Sequence, residues 1–178
     1  VDEAFRAVFL AELDAAPATG LTAALLEFFG QPSVAELNHW LTRREGGATS
    51  RDRTSAARAV TSLAAEGDAV AVAIVREQGR RLALYAGIAA RKVGLIDEGG
   101  PVSVVLSGSV LTAPGSPVRA ALLDQLDGQL PGAVPHPATL PPVVGAALDA
   151  LGEAGIDVTS EIVDRIAETA PGSDFLKT

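Results

Sequence analysis

The sequence predicts an α/β protein that is rich in helix and has few strands of its own. Three observations point there. Apolar residues recur at spacings of three and four along most of the chain, the period of an amphipathic helix. One run, VSVVL at 102–106, is short, almost wholly apolar and dense in β-branched residues, which suits a strand buried on both faces. A second, weaker candidate strand, AVPH at 133–136, is confined to a sheet edge by Pro135 and Pro137, which have no N–H to donate.

The elements follow in order. Residues 2–14 place Phe5, Val8, Phe9 and Leu13 on one helical face, and Pro17 and Gly20 break the pattern. Leu21, Leu25, Phe28 and Phe29 make a second helix, closed by Gly30. Ser33 and Glu36 have the spacing of a capping box and open a helix carrying Leu37, Trp40 and Leu41. Residues 42–53, TRREGGATSRDR, have no period and read as a solvated, mobile loop. A helix with Ala57, Val60 and Leu63 inward then runs to Gly67.

Asp68 caps the longest helix, 69–93, with an apolar seam read at Val75, Gln78, Leu82, Tyr85, Ala89 and Val93. Gly79 and Gly87 inside it each weaken a helix by up to about 1 kcal/mol relative to alanine, which points to close helix contacts. Asp97-Glu98 ahead of Gly99-Gly100 reads as a polar turn. Beyond the strand, Ser116-Pro117 supplies an N-cap and first-turn proline for a helix to Leu126. Pro141-Pro142 opens another, and a last short helix starts at Ser160 with Ile162, Val163 and Ile166 inward. The sum is about seven helices and one or two strands.

Composition removes several function classes. The chain has 178 residues, enough for one domain burying roughly 70% of its unfolded surface. It is 48% hydrophobic with a mean hydropathy of +0.28, so it can build a core. A net charge of −8 argues against nucleic acid, whose recognition rests on basic patches. With no cysteine there is no disulfide framework, thiolate metal site or thiol nucleophile, which fits a reducing cytoplasm. No apolar run nears the roughly 20 residues that span a bilayer, so no membrane partner is expected. The chain has no methionine and starts within a helical pattern, from which we expect a segment of something longer.

The stretch with most to say about chemistry is SGSV, 107–110, directly after the 102–106 strand. In open α/β folds, ligands sit beyond the carboxyl ends of strands, where loops run into helices. Gly108 there permits positive φ and close approach of a ligand to the backbone. The plain alternative is that the glycine serves only the turn.

The order of elements bears on that choice. The segments LTAALLEFFGQPSVAEL, LAAEGDAVAVAIVREQG, VSVVLSGSVLTA and PHPATLPPVVGAALDAL, together spanning about residues 3–152, resemble the C-terminal half of the BadF/BadG/BcrA/BcrD ATPase family, N-acetylglucosamine kinases in particular. The resemblance implies the helix-rich C-terminal half of an actin-like ATPase (ribonuclease H-like) fold. Residues 1–155 would form its adenosine-binding domain, with 156–178 as a helical extension. ATP is the implied cofactor, with Mg²⁺ arriving on the nucleotide. Gly108 would lie against the ribose or α-phosphate, shaped by Ser107, Ser109 and Val110. Gly145 would sit in the closing helix beside the same pocket, where a side chain would crowd its neighbours; simple helix packing explains that glycine equally well. Ala64 aligns with a position lining the adenine slot, although a buried alanine is ordinarily core.

The family's phosphate-gripping Asp-Gly-Gly-Gly-Thr-type turn, its second Gly/Thr turn and its catalytic aspartate have no counterpart in these residues. The implied partners are therefore an N-terminal half of the same protein and, through it, an amino-sugar substrate; a homodimer is also implied. No catalytic residue is assigned, and the segment alone is expected to be inactive. Two other classes stay open: a non-catalytic nucleotide-binding or dimerisation module, and a dehydratase-activating ATPase whose cluster-holding cysteines would have to lie elsewhere. His39 and His136 lack ligand spacing and read as surface residues, as do Asp124 and Asp127. Arg43, Arg44, Arg51 and Arg53 fit a solvated loop, and Trp40, Phe28 and Phe29 fit core or interface anchors.

Overall fold

The computed structural model describes residues 1–96 and 100–170; the expected Asp97-Glu98 turn and the last part of the extension fall outside them. Helices make up 64% of the described residues, beside one parallel two-stranded sheet. The chain is thus helix-rich α/β, as its periodicities predict.

Three helices, α1 (Asp2–Glu12), α2 (Leu21–Phe29) and α3 (Val34–Thr42), pack through Phe5, Val8, Leu21, Leu25, Leu37 and Leu41. Gly30 adopts φ 60° and closes α2 in the left-handed region, where a Cβ would be strained. Ser33 Oγ accepts from the Glu36 N–H at 3.2 Å, so the N-terminus of α3 is capped as expected. Leu13, expected inward, lies past the end of α1 and is exposed. Phe29 sits between Phe5 and Trp40 in tilted contact, with ring centroids 5.9 and 5.1 Å away, so Phe29 and Trp40 anchor this core, whereas Phe28 is exposed and meets Phe29 edge-on.

The segment read as a mobile loop is partly helical. Thr49 and Asp52 form a complete capping box that starts α4 (Ser50–Ser55). Arg53 reaches back to the Leu41 carbonyl oxygen and lies 3.8 Å from Asp2, which ties α4 to α3 and α1. A short break at the buried Ala56 leads into α5 (Ala57–Ala65).

The long helix α6 (Ala69–Lys92) starts at Asp68 as expected, but its buried seam differs from the sequence reading. Ala71, Val75, Gly79, Ala83, Gly87 and Ala90 face inward, whereas Tyr85 is 60% exposed and Leu82 and Val93 also face out. The reason is the close approach of α8 (Pro117–Gln129). A Cβ at Gly79 would lie 2.5 Å from the Ala121 carbonyl carbon, and one at Gly87 would collide with the Gln129 carbonyl oxygen. Small residues recurring mostly every fourth position form a shallow ridge that lets the helices meet along i±4 rows.

β1 (Val102–Leu106) and β2 (Ala133–Pro137) pair in parallel, from Val102 opposite Ala133 to Leu106 opposite Pro137, with α8 as the crossover. A second core forms where Val102, Val104 and Leu106 meet Ala83, Leu122, Leu126 and Leu130. The opposite face of β1 is open among the described residues: Val105 is 66% exposed. The expectation of burial on both faces is therefore corrected, because helices cover only one side of the sheet. Finally α9 (Pro142–Glu153) and α10 (Ser160–Thr169) pair with each other, burying Ile162 and Ile166 in part against the α9 end.

Candidate functional site

β1 ends at Leu106, and the chain turns sharply through Ser107 and Gly108 into a single helical turn, α7 (Ser109–Thr112). Gly108 has φ 90° and ψ 148°, a conformation open mainly to glycine. Its carbonyl oxygen accepts from the Leu111 and Thr112 N–H groups and from Thr112 Oγ1, each at 3.0 Å. The turn is pinned from its far side by Arg119 of α8, whose Nη1 donates to the Leu111 carbonyl oxygen at 3.0 Å. No heavy atom lies within 4 Å of where a Gly108 Cβ would be. The corner at the carboxyl end of β1 is therefore fixed in shape and open in front.

Next to it lies a cavity of about 460 Å³, of a size that holds small ligands. One wall is Ser109, Val110 and the 113–117 approach to α8. The other is formed by α4 and α5, chiefly Thr54, Ser55, Arg58, Thr61 and Ser62. Among the described residues, Arg58 is the only charged residue on either wall. Ser116 closes the floor as the N-cap of α8, its Oγ accepting from the Arg119 N–H at 3.1 Å.

The residues singled out from sequence divide into three groups. Ser109 and Val110 line the cavity. Ser107 and Gly108 shape the exposed turn beside it without lining it. Ala64, 8% exposed, belongs to the first core, while its neighbour Ala65 reaches the cavity wall. Gly145 is exposed on α9 and apart from the cavity, and an added Cβ there would meet no heavy atom within 4 Å, so the expected crowding is not seen.

The α4–α5 wall escaped the sequence reading because hydroxyls on a helix pass for ordinary solvated surface. The signal was nonetheless present: positions 54, 55, 58, 61 and 62 repeat with helical spacing and carry no carboxylate, in a chain with 22 acidic residues. His39 and His136 are exposed, as are Asp124 and Asp127 on α8. Among the described residues, no three His, Asp or Glu side chains stand together as a metal site, and no helix is long and apolar enough to cross a membrane.

Comparison of the chain with protein-family profiles, curated proteins and solved structures finds no match.

Proposed function

We propose that this chain is the C-terminal, adenosine-binding portion of an actin-like ATP-dependent kinase acting on N-acetylglucosamine or a related amino sugar, with ATP held beside the Gly108 turn. The observation that carries the reading is the corner itself. A parallel strand ends at a glycine held at φ 90°, with open space where a side chain would stand and a ligand-sized cavity adjoining. Carboxyl ends of parallel strands are where α/β proteins place nucleotides.

The open outer face of β1 leaves room for a further layer packed on the sheet, since parallel sheets are ordinarily covered on both faces. Among the described residues the cavity has no carboxylate to act as a base on a sugar hydroxyl, so on this reading the base comes from outside them. Mg²⁺ would come with the nucleotide and neutralise charge on its phosphates.

Calorimetric titration with ATP tests the proposal. The chain should bind ATP, and Val110→Glu, which adds bulk and negative charge to an exposed wall residue, should weaken binding by about tenfold or more without lowering Tm. Unchanged affinity in that variant would place the nucleotide elsewhere.

A further inference from the structure

We infer that Arg58 makes the cavity selective for phosphate-bearing ligands, its guanidinium pairing with phosphate across from the Gly108 turn; the inference rests on the adenine-nucleotide reading of the same site. The charge pattern of the walls is its basis. In a chain of net charge −8, the described residues lining this cavity include one cation and no anion. Some arginines are engaged: Arg53 with Asp2 and the Leu41 carbonyl, Arg80 and Arg81 with Glu77, Arg91 with the Gln129 carbonyl and Arg119 with the Leu111 carbonyl. Arg58, like the exposed Arg6, Arg43, Arg44, Arg51, Arg76 and Arg165, is not, and it alone of these lines this cavity. Among the described residues the Arg58 side chain has no hydrogen-bond or ion-pair partner, so its donors are free for a ligand.

The neighbouring hydroxyls sharpen the assignment. Thr54, Ser55 and Thr61 donate their protons to backbone carbonyl oxygens of their own helices. They can offer a ligand only lone pairs, which phosphate does not want. Ser62 and Ser109 make no such side-chain bond among the described residues and stand on opposite walls. Arg58, Ser62, Ser109 and Ser116, whose Oγ only accepts within the protein, therefore supply the side-chain donors of the cavity, and Arg58 supplies the charge. A guanidinium fork matches two phosphate oxygens at once, whereas a neutral sugar or nucleoside gains nothing comparable from it.

The test titrates wild type, Arg58→Gln and Arg58→Lys with ATP, adenosine and inorganic tripolyphosphate. Wild type should bind ATP more tightly than adenosine. Arg58→Gln should lower ATP and tripolyphosphate affinity by about tenfold or more while leaving adenosine affinity unchanged. Arg58→Lys should recover part of the loss, since charge returns without the fork. Raising ionic strength should weaken ATP binding to wild type more than to Arg58→Gln. The inference is overturned if Arg58→Gln leaves the ratio of ATP to adenosine affinity unchanged, or if wild type binds neither anion. Tripolyphosphate binding as tightly as ATP, and depending on Arg58, would uphold phosphate selectivity while removing the adenine part of the functional reading.

Discussion

Gly79 of α6 stands so close to Ala121 of α8 that a methyl group at 79 would lie 2.5 Å from the Ala121 carbonyl carbon. The obstacle is backbone, which cannot rotate aside as a side-chain tip can. Gly79→Ala gains up to about 1 kcal/mol of helix propensity, but the forced separation of α6 and α8 costs about 1–3 kcal/mol. The net expectation is a destabilised protein, read as a lower urea midpoint. A raised midpoint would show that the helices are less tightly apposed.

Gly145→Ala is the control with the opposite sign. On α9 the added methyl meets no atom within 4 Å and the backbone is helical. The substitution should stabilise by about 0.4–1 kcal/mol through the unfolded chain's reduced freedom. It should also leave ATP affinity unchanged, since this glycine is apart from the cavity; a changed affinity would return it to the site.

Asp68 links two helix starts. Its Oδ1 accepts from the Val70 and Ala71 N–H groups at 3.1 and 2.9 Å, and its Oδ2 from the Gly20 N–H at 2.8 Å, with Thr19 Oγ1 donating to both oxygens. Burial pushes this carboxyl upward, but the Ala71, Gly20, Thr19 and Val70 donors together outweigh it and hold it below its ordinary value near 3.8. The folded state therefore binds the proton less readily than the unfolded chain. The stabilisation is fully present above about pH 4 and is lost as pH falls through the folded value. Asp68→Asn keeps one accepting oxygen but turns an N–H₂ toward the donors on the other, and should cost about 1–2 kcal/mol at pH 7. Thermal melts should show the gap to wild type closing toward pH 2–3; a gap independent of pH would contradict this account.

Further along the long helix, Glu77 accepts from Arg80 Nε at 2.7 Å and Arg81 Nε at 2.8 Å. The Arg80 hydrogen bonds, then those of Arg81, lower its carboxyl to about 2. In an NMR titration Glu77 should remain ionised at a pH where other glutamates have protonated. Arg80→Gln should move it upward toward 4.5. A Glu77 that titrates with the remaining glutamates in wild type would show that this fork does not persist in solution.

Much of the helical layout was legible because caps and breakers act locally: Ser33, Asp68, Ser116 and Gly30 each sit where their chemistry requires. The face of α6 was not. Hydrophobicity alone favours Leu82 and Tyr85 for a seam, whereas the distance to α8 selects Gly79, Ala83 and Gly87, and that distance is a property of the tertiary packing. Similarly, VSVVL identifies a strand but cannot say which faces are covered. Half of the candidate site was visible, at Ser109 and Val110, because a strand running into a glycine turn is a local pattern. The facing wall left a local trace in the carboxylate-free spacing of 54, 58, 61 and 62, but that α4 and α5 fold back toward the turn is a tertiary relationship no local pattern encodes.

The most direct measurement is amide chemical-shift mapping of the ¹⁵N-labelled chain during titration with ATP. The account predicts saturable shifts concentrated at residues 107–110 and along the α4–α5 wall near Arg58 and Thr61, diminished in Val110→Glu. Shifts gathered instead in the groove between α1 and α6, around Leu10 and Ile74, or no saturable shifts at all, would contradict it.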